Sequence, residues 1–162
     1  DSGGAGRFRG GLGQSTETSC RSGRPWSVSA LIDRTRIAAD GFEGGGPGAL
    51  GAIALASGDP VQPKSVVRVQ PDDRVRLTLP GGGGYGDPRL RDPKLVLADV
   101  VDGYVSPESA RRDYGVAVDY VGPPDRIVRT ADLYRIDVDE TRRLRGEPAA
   151  LPDAARVRQS AT

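Results

Sequence analysis

SVVRVQPDDRVRLTLPGGGGYGDP, residues 65–88, decides between a half-exposed sheet and a nucleotide-binding unit. Its first part alternates. Val67 and Val69 face one way, as do Val75, Leu77 and Leu79, while Arg68, Gln70, Arg74, Arg76 and Thr78 face the other. A period of two with one polar face is the mark of an antiparallel sheet with one side in water. SVVRVQ and RVRLTLP are thus the clearest pair of strands. Pro71-Asp72-Asp73 between them is a turn, because Pro presets φ and Asp bonds its neighbouring backbone.

The second part, PGGGGYGDP, fits the spacing G-x-G-x-x-G through Gly81, Gly83 and Gly86. A dinucleotide fingerprint needs a strand before the glycines and a helix starting at them. The strand is there, but Asp87-Pro88 comes at once and the first good helix cap is Asp92. A Walker-type loop would need Lys and Ser/Thr where Asp87 and Pro88 stand, and Asp repels phosphate. Gly81, Gly82, Gly83, Gly84, Tyr85 and Gly86 therefore read as a structural glycine loop, a bend joining sheet to helices.

Upstream of this stretch the signal is also β. STETSCR alternates Thr16, Thr18 and Cys20 against Glu17 and Arg21, which makes Cys20 a small core hydrophobe. WSVSALID alternates Trp26, Val28, Ala30 and Ile32 against Ser27, Ser29 and Leu31. Residues 53–56 suit a further short strand. Two more glycine clusters interrupt the pattern, DSGGAGRFRGGLG (1–13) and GFEGGGPGALG (41–51). Glycine at this density has few side chains for chemistry but lets backbones approach closely.

Downstream the period changes. Asp92-Pro93 is a helix opening, Leu97, Val100 and Val101 share a face, and Gly103 closes the helix. Ser106-Pro107-Glu108 opens a second helix ended by Gly115, with Val105 and Ala110 placed as a hydrophobic staple. VAVDYV and DLYRIDV read as extended. Asp137 with Glu140 resembles a capping box opening a last helix to Gly146. The expected fold class is α+β, a mainly antiparallel β portion followed by a small helical portion. Within one domain the divisions are an entry loop (1–13), a β-rich portion (14–80), the glycine bend (81–88), a small helical and mixed portion (89–146) and a mobile tail (147–162).

Composition narrows the function. The 162 residues carry a net charge of +1, so no overall field favours nucleic acid or an anionic membrane. No run approaches the ~18 apolar residues of a membrane helix. A single cysteine forms no internal disulfide, which makes a reducing cytoplasm the simplest compartment. There is no Met, so Asp1 is not a translation start and the chain is expected to be a fragment, a processed piece or a split gene product. There is no His, which removes Ser-His and Cys-His pairs and every His-containing metal site. Asp33, Arg34 and Arg36 follow a strand and precede a glycine loop, where a carboxylate- or phosphate-binding fork is plausible; a solvated strand end is the plainer reading. Arg7 and Arg9 flank Phe8, but the net charge gives no support to nucleic-acid contact.

Five blocks in register are strongly specific. SGGAGRFRGGLG (2–13), a strand ending IDR (32–34), FEGGGPGALG (42–51), VRVQPDDRVRLTLPGGGGYGDP (67–88) and DPKLVLADVVDGYVSPESARRDYGV (92–116) together resemble the C-terminal portion of the hydantoinase B/oxoprolinase family. The resemblance implies part of a B-type subunit acting in ATP-dependent hydrolysis of a cyclic amide such as a hydantoin, 5-oxoproline or a lactam. The alternatives it leaves are a subunit of a related ketone carboxylase and a non-catalytic assembly module. It also implies as partners the upstream part of the B-type subunit and an A-type, ATP-using subunit. ATP and a divalent metal are then expected elsewhere in the complex, with no cofactor, metal ligand or catalytic residue carried over to this chain.

Overall fold

The computed structural model of the chain describes residues 1–59, 61–127 and 130–146. They form an α+β fold of seven strands and three helices, with the strands concentrated in the first half. The strands are β1 (Ser15–Thr18), β2 (Trp26–Leu31), β3 (Ala52–Leu55), β4 (Lys64–Val69), β5 (Val75–Thr78), β6 (Ala117–Tyr120) and β7 (Tyr134–Asp137). The helices are α1 (Pro93–Val101), α2 (Pro107–Tyr114) and α3 (Val138–Arg145). The reading of 147–162 as a tail lies outside the described residues.

All pairings between these strands are antiparallel among the described residues. A three-stranded sheet runs β1-β5-β3, β2 pairs with β4, and β6 pairs with β7. Val69 and Val75 are buried with Leu55, and Trp26, Val28, Ile53, Val61 and Val67 pack against them, so the first two sheets close over one apolar core. Each fully buried Val contributes about 1.5–3 kcal/mol relative to exposure. The alternation read in 65–80 holds at Val67, Val69, Val75 and Leu77, whereas Leu79 lies beyond β5 and is 43% exposed.

The expected pairing of the two strands around Pro71-Asp72-Asp73 is corrected. The turn exists, with the Asp73 amide donating to the Gln70 carbonyl at 3.2 Å, but it carries the chain from one sheet to the other. Both edges of β5 are taken by β1 and β3, so β4 bonds to β2, with Trp26 opposite Val69 and Val28 opposite Val67. Cys20 is corrected too. It lies past the end of β1, half-buried, with its thiol donating to the Ser22 hydroxyl at 3.3 Å, and belongs to neither core cluster.

The helices start and stop where local chemistry places them. The Asp92 carboxylate accepts from the Lys94 amide at 2.9 Å, the Ser106 hydroxyl from the Ser109 amide at 3.1 Å, and the Asp137 carboxylate from the Glu140 amide at 2.9 Å. Gly103, Gly115 and Gly146 take positive φ values just past the helix ends. Val105 and Ala110 are 4% and 0% exposed, as the staple requires. Glu140 does not complete a capping box. Its carboxylate binds Arg111 of α2 and lies 2.6 Å from Arg143. The second core gathers Val96, Val100, Val105, Ala110, Tyr114, Val116 and Val118, with Leu97 only at its margin.

Between the two cores lies a layer built almost entirely of main chain. Segments from all three glycine clusters run side by side, joined by amide-to-carbonyl bonds. Gly4 donates to Gly82 at 2.8 Å, Gly46 to Ala5 at 2.7 Å, Gly84 to Gly46 at 2.9 Å and Gly82 to Gly11 at 2.9 Å. A β-carbon on Gly83 or Gly84 would overlap the carbonyl oxygen of Asp40 or Ala5. Residues 81–84 are thus the central strut of this layer as well as a connection from sheet to helices. The entry segment, too, is an ordered part of it.

Candidate functional site

Two places combine charge, shape and an irregular backbone. The first is where β2 leaves its sheet. The Ile32 amide still bonds to the Pro63 carbonyl at 2.9 Å, after which residues 33–37 turn away and open a cleft of about 520 Å³ against Gln62, Pro63 and Lys64. Asp33, Arg34 and Arg36 all line it. Lys64 lies 2.7 Å from Asp33, and that hydrogen bond and charge hold the Asp33 carboxyl below the usual range. Arg34 sits at φ +56°, and its carbonyl accepts from the Gly51 amide at 3.0 Å. Neither the Arg34 nor the Arg36 guanidinium makes a hydrogen bond or ion pair among the described residues. Ile32, Ile37 and Pro63 supply apolar wall.

The three residues singled out in the sequence are therefore brought to one cleft. Lys64 and Gln62, on its other wall, were not found in the sequence. Their signal was the pairing of β2 with β4, which puts Leu31 opposite Lys64 and which the turn at 71–73 disguised.

The glycine loop occupies a different place. The amides of Gly81, Gly82, Gly84, Tyr85 and Gly86 donate to the carbonyls of Ala49, Gly11, Gly46, Phe8 and Phe42 at 2.9–3.0 Å. A phosphate cradle needs such amides free and converging; here they are committed to the layer. Tyr85 emerges half-exposed at its edge, its ring 6.1 Å from Phe8 and 6.0 Å from Phe42.

The second place is a charge cluster that sequence reasoning missed. Asp99, on the buried face of α1 beside Val96 and Val100, has one carboxylate oxygen 2.9 Å from Arg91 and 3.3 Å from Arg9. All three side chains are at most 16% exposed. Arg91 also donates to the Arg7 carbonyl at 3.1 Å, Arg145 donates to the Arg91 and Tyr114 carbonyls, and the Arg9 guanidinium lies 5.2 Å from the Tyr104 ring centre. The cluster binds the entry segment to the helical portion. An acid on an apolar helical face was the available signal. Burial pushes the adjacent Tyr114 phenol up. Among the described residues no group of three or more His, Cys, Asp or Glu could hold a metal ion. No helix among them is long and apolar enough to cross a membrane.

The comparisons with known proteins give one answer. The sequence profile described as hydantoinase B/oxoprolinase matches residues 1–88. An uncharacterised protein of Methanocaldococcus jannaschii is 38% identical over 90% of the chain, and the B-type subunit of a putative D-/L-hydantoinase from a Pseudomonas species is 32% identical over 86%. The crystal structure of ATP-dependent caprolactamase from Pseudomonas jessenii covers 90% of the chain at 30% identity with a TM-score of 0.68. A nucleotide-free acetone carboxylase covers 90% at 26% identity with a TM-score of 0.67. The chain spans 24% and 22% of the two curated relatives, and 24% and 23% of the two structural ones.

Proposed function

The chain belongs to the hydantoinase B/oxoprolinase family, and from that premise we propose that it is part of a B-type subunit acting in ATP-dependent hydrolysis of a cyclic amide. The observation that carries this reading is the likeness to caprolactamase, at 30% identity and a TM-score of 0.68 over 90% of the chain. The substrate class is a hydantoin, 5-oxoproline or a lactam.

The glycine loop does not fit the phosphates of ATP. Five of the six amides of residues 81–86 are bonded within the protein, and among the described residues there is no cluster of metal-ligating side chains. In the proposed complex ATP belongs to an A-type partner subunit and the metal to the upstream part of the B-type subunit. This chain's contribution is architectural. Its close-packed glycine layer is a rigid support that side chains would prop apart.

A second reading is favoured by the acetone carboxylase likeness, at 26% identity over the same share of the chain. In it the chain belongs to an ATP-dependent ketone carboxylase subunit. The assembly-module role is common to both. Assay of the complete subunit with its A-type partner separates them. We expect ATP-dependent ring opening of hydantoin, 5-oxoproline or caprolactam; fixation of bicarbonate onto acetone without ring opening would overturn the first reading.

A further inference from the structure

We propose that the cleft between residues 32–37 and 62–64 binds the carboxylate end of a linear acid with an apolar stem. Of the proposed ring openings, that of a lactam yields a carboxylate on an aliphatic stem, and the biological origin of the ligand rests on the ring-opening function proposed for the chain. The cleft's own chemistry stands apart from it.

Four observations converge on one small volume. Three cations, Arg34, Arg36 and Lys64, line the cleft against a single carboxylate, Asp33. Lys64 is matched to Asp33 at 2.7 Å, and the charge of Arg34 also acts on that carboxylate, but neither guanidinium has a hydrogen-bond partner among the described residues. A guanidinium presents parallel N–H groups in a fork that fits a carboxylate better than it fits a point acceptor. Beside them Ile37 is 77% exposed, and Ile32 and Pro63 continue the apolar wall. A stem lying there removes apolar surface from water that the fold leaves wet.

The fourth observation is the backbone. Arg34 adopts φ +56°, a left-handed conformation that L side chains rarely take and that Gly or Asn tolerates better. A plain solvated strand end has no need of an arginine there. Strain at a residue that lines a cleft points to a role for that residue beyond a plain connection. The volume, about 520 Å³, falls in the range of small-molecule sites. Inorganic phosphate would satisfy the guanidiniums but leave the Ile37 wall uncovered, so the apolar stem is part of the recognition.

The test is a nuclear magnetic resonance titration of the full 162-residue chain with sodium hexanoate, inorganic phosphate and hexylamine. Hexanoate should shift the amides of Asp33, Arg34, Arg36 and Lys64 saturably, with phosphate and hexylamine weaker by about tenfold or more. Arg36→Gln, an exposed and conservative change, should weaken hexanoate by about tenfold. Arg34→Gly should raise the melting temperature, by relieving the strain, while weakening hexanoate equally. No saturable shift, phosphate binding as tightly as hexanoate, or unchanged binding in Arg34→Gly would each overturn the proposal. No outcome depends on turnover. Hexanoate binding in an enzyme found to carboxylate ketones keeps the cleft and withdraws only ring opening as the ligand's source. Absence of binding in an enzyme that opens lactams removes the cleft and leaves the function.

Discussion

Gly83 faces the main-chain carbonyl of Asp40 so closely that any β-carbon at position 83 would occupy the space of that oxygen. The neighbour is backbone, so no rotamer change relieves the overlap. Gly83→Ala is expected to cost about 3 kcal/mol or more. Gly11 is the internal control. It lies in the same layer, yet a β-carbon there meets nothing within 4 Å. Gly11→Ala should leave stability unchanged or raise it by up to about 1 kcal/mol, by restricting the unfolded chain. Urea unfolding of the two variants checks the contrast, and equal effects would contradict the packing described.

Asp99 anchors the entry segment to α1 through Arg9 and Arg91. Asp99→Ala leaves two guanidiniums facing each other in a largely buried setting, with an expected loss of about 3 kcal/mol. Hydrogen exchange of residues 4–10 should accelerate selectively, because their bonds to residues 82–86 depend on that anchor. Uniform acceleration across the chain would mean that the cluster is not a local tie.

Glu17 on β1 stands opposite Arg76 on β5, 2.7 Å from its guanidinium, and Arg74 lies 3.7 Å away. The hydrogen bond and charge of Arg76 hold the Glu17 carboxyl below its ordinary value. A folded-state pKa below the unfolded one gives stability that is present above the unfolded value and is lost as pH falls through the folded one. Both groups are solvent-exposed, so the effect is small. Glu17→Gln should lower the urea midpoint at about pH 6, and the difference should shrink as pH falls through the folded-state value and the wild-type carboxylate is protonated.

Trp26 is half-buried against the β core, and its indole N–H is shielded from solvent without a partner among the described residues. Trp26→Phe removes a shielded polar group while keeping an aromatic ring in place. Its cost should stay within about 1 kcal/mol, against about 3 kcal/mol or more for Trp26→Ala. Thermal unfolding followed by circular dichroism measures both.

Elements governed by nearest neighbours were legible in the sequence. Asp92, Ser106 and Asp137 cap helices because each bond closes within three residues. The inward faces of β2, β4 and β5 follow from alternation alone. What alternation cannot carry is which strand lies beside which. β5 bonds to β1, some sixty positions away in the register Glu17 to Arg76, as well as to β3. The glycine layer was legible only as a capacity for close approach, since residues without side chains leave no periodicity to read. At the candidate cleft, composition and position found Asp33, Arg34 and Arg36. The left-handed turn of Arg34 and the arrival of Lys64 depend on tertiary structure.

The glycine layer also bears on how the protein responds to temperature. Unfolding exposes apolar surface, which raises heat capacity, and peptide groups, which lower it. A layer held by main-chain bonds such as Gly4 to Gly82 and Gly84 to Gly46 releases much of the second kind and little of the first. The heat-capacity increment per residue should therefore fall below the usual ~12–15 cal/mol/K. With less curvature, the stability of this chain changes more evenly across temperature than that of a protein joined through an aliphatic core.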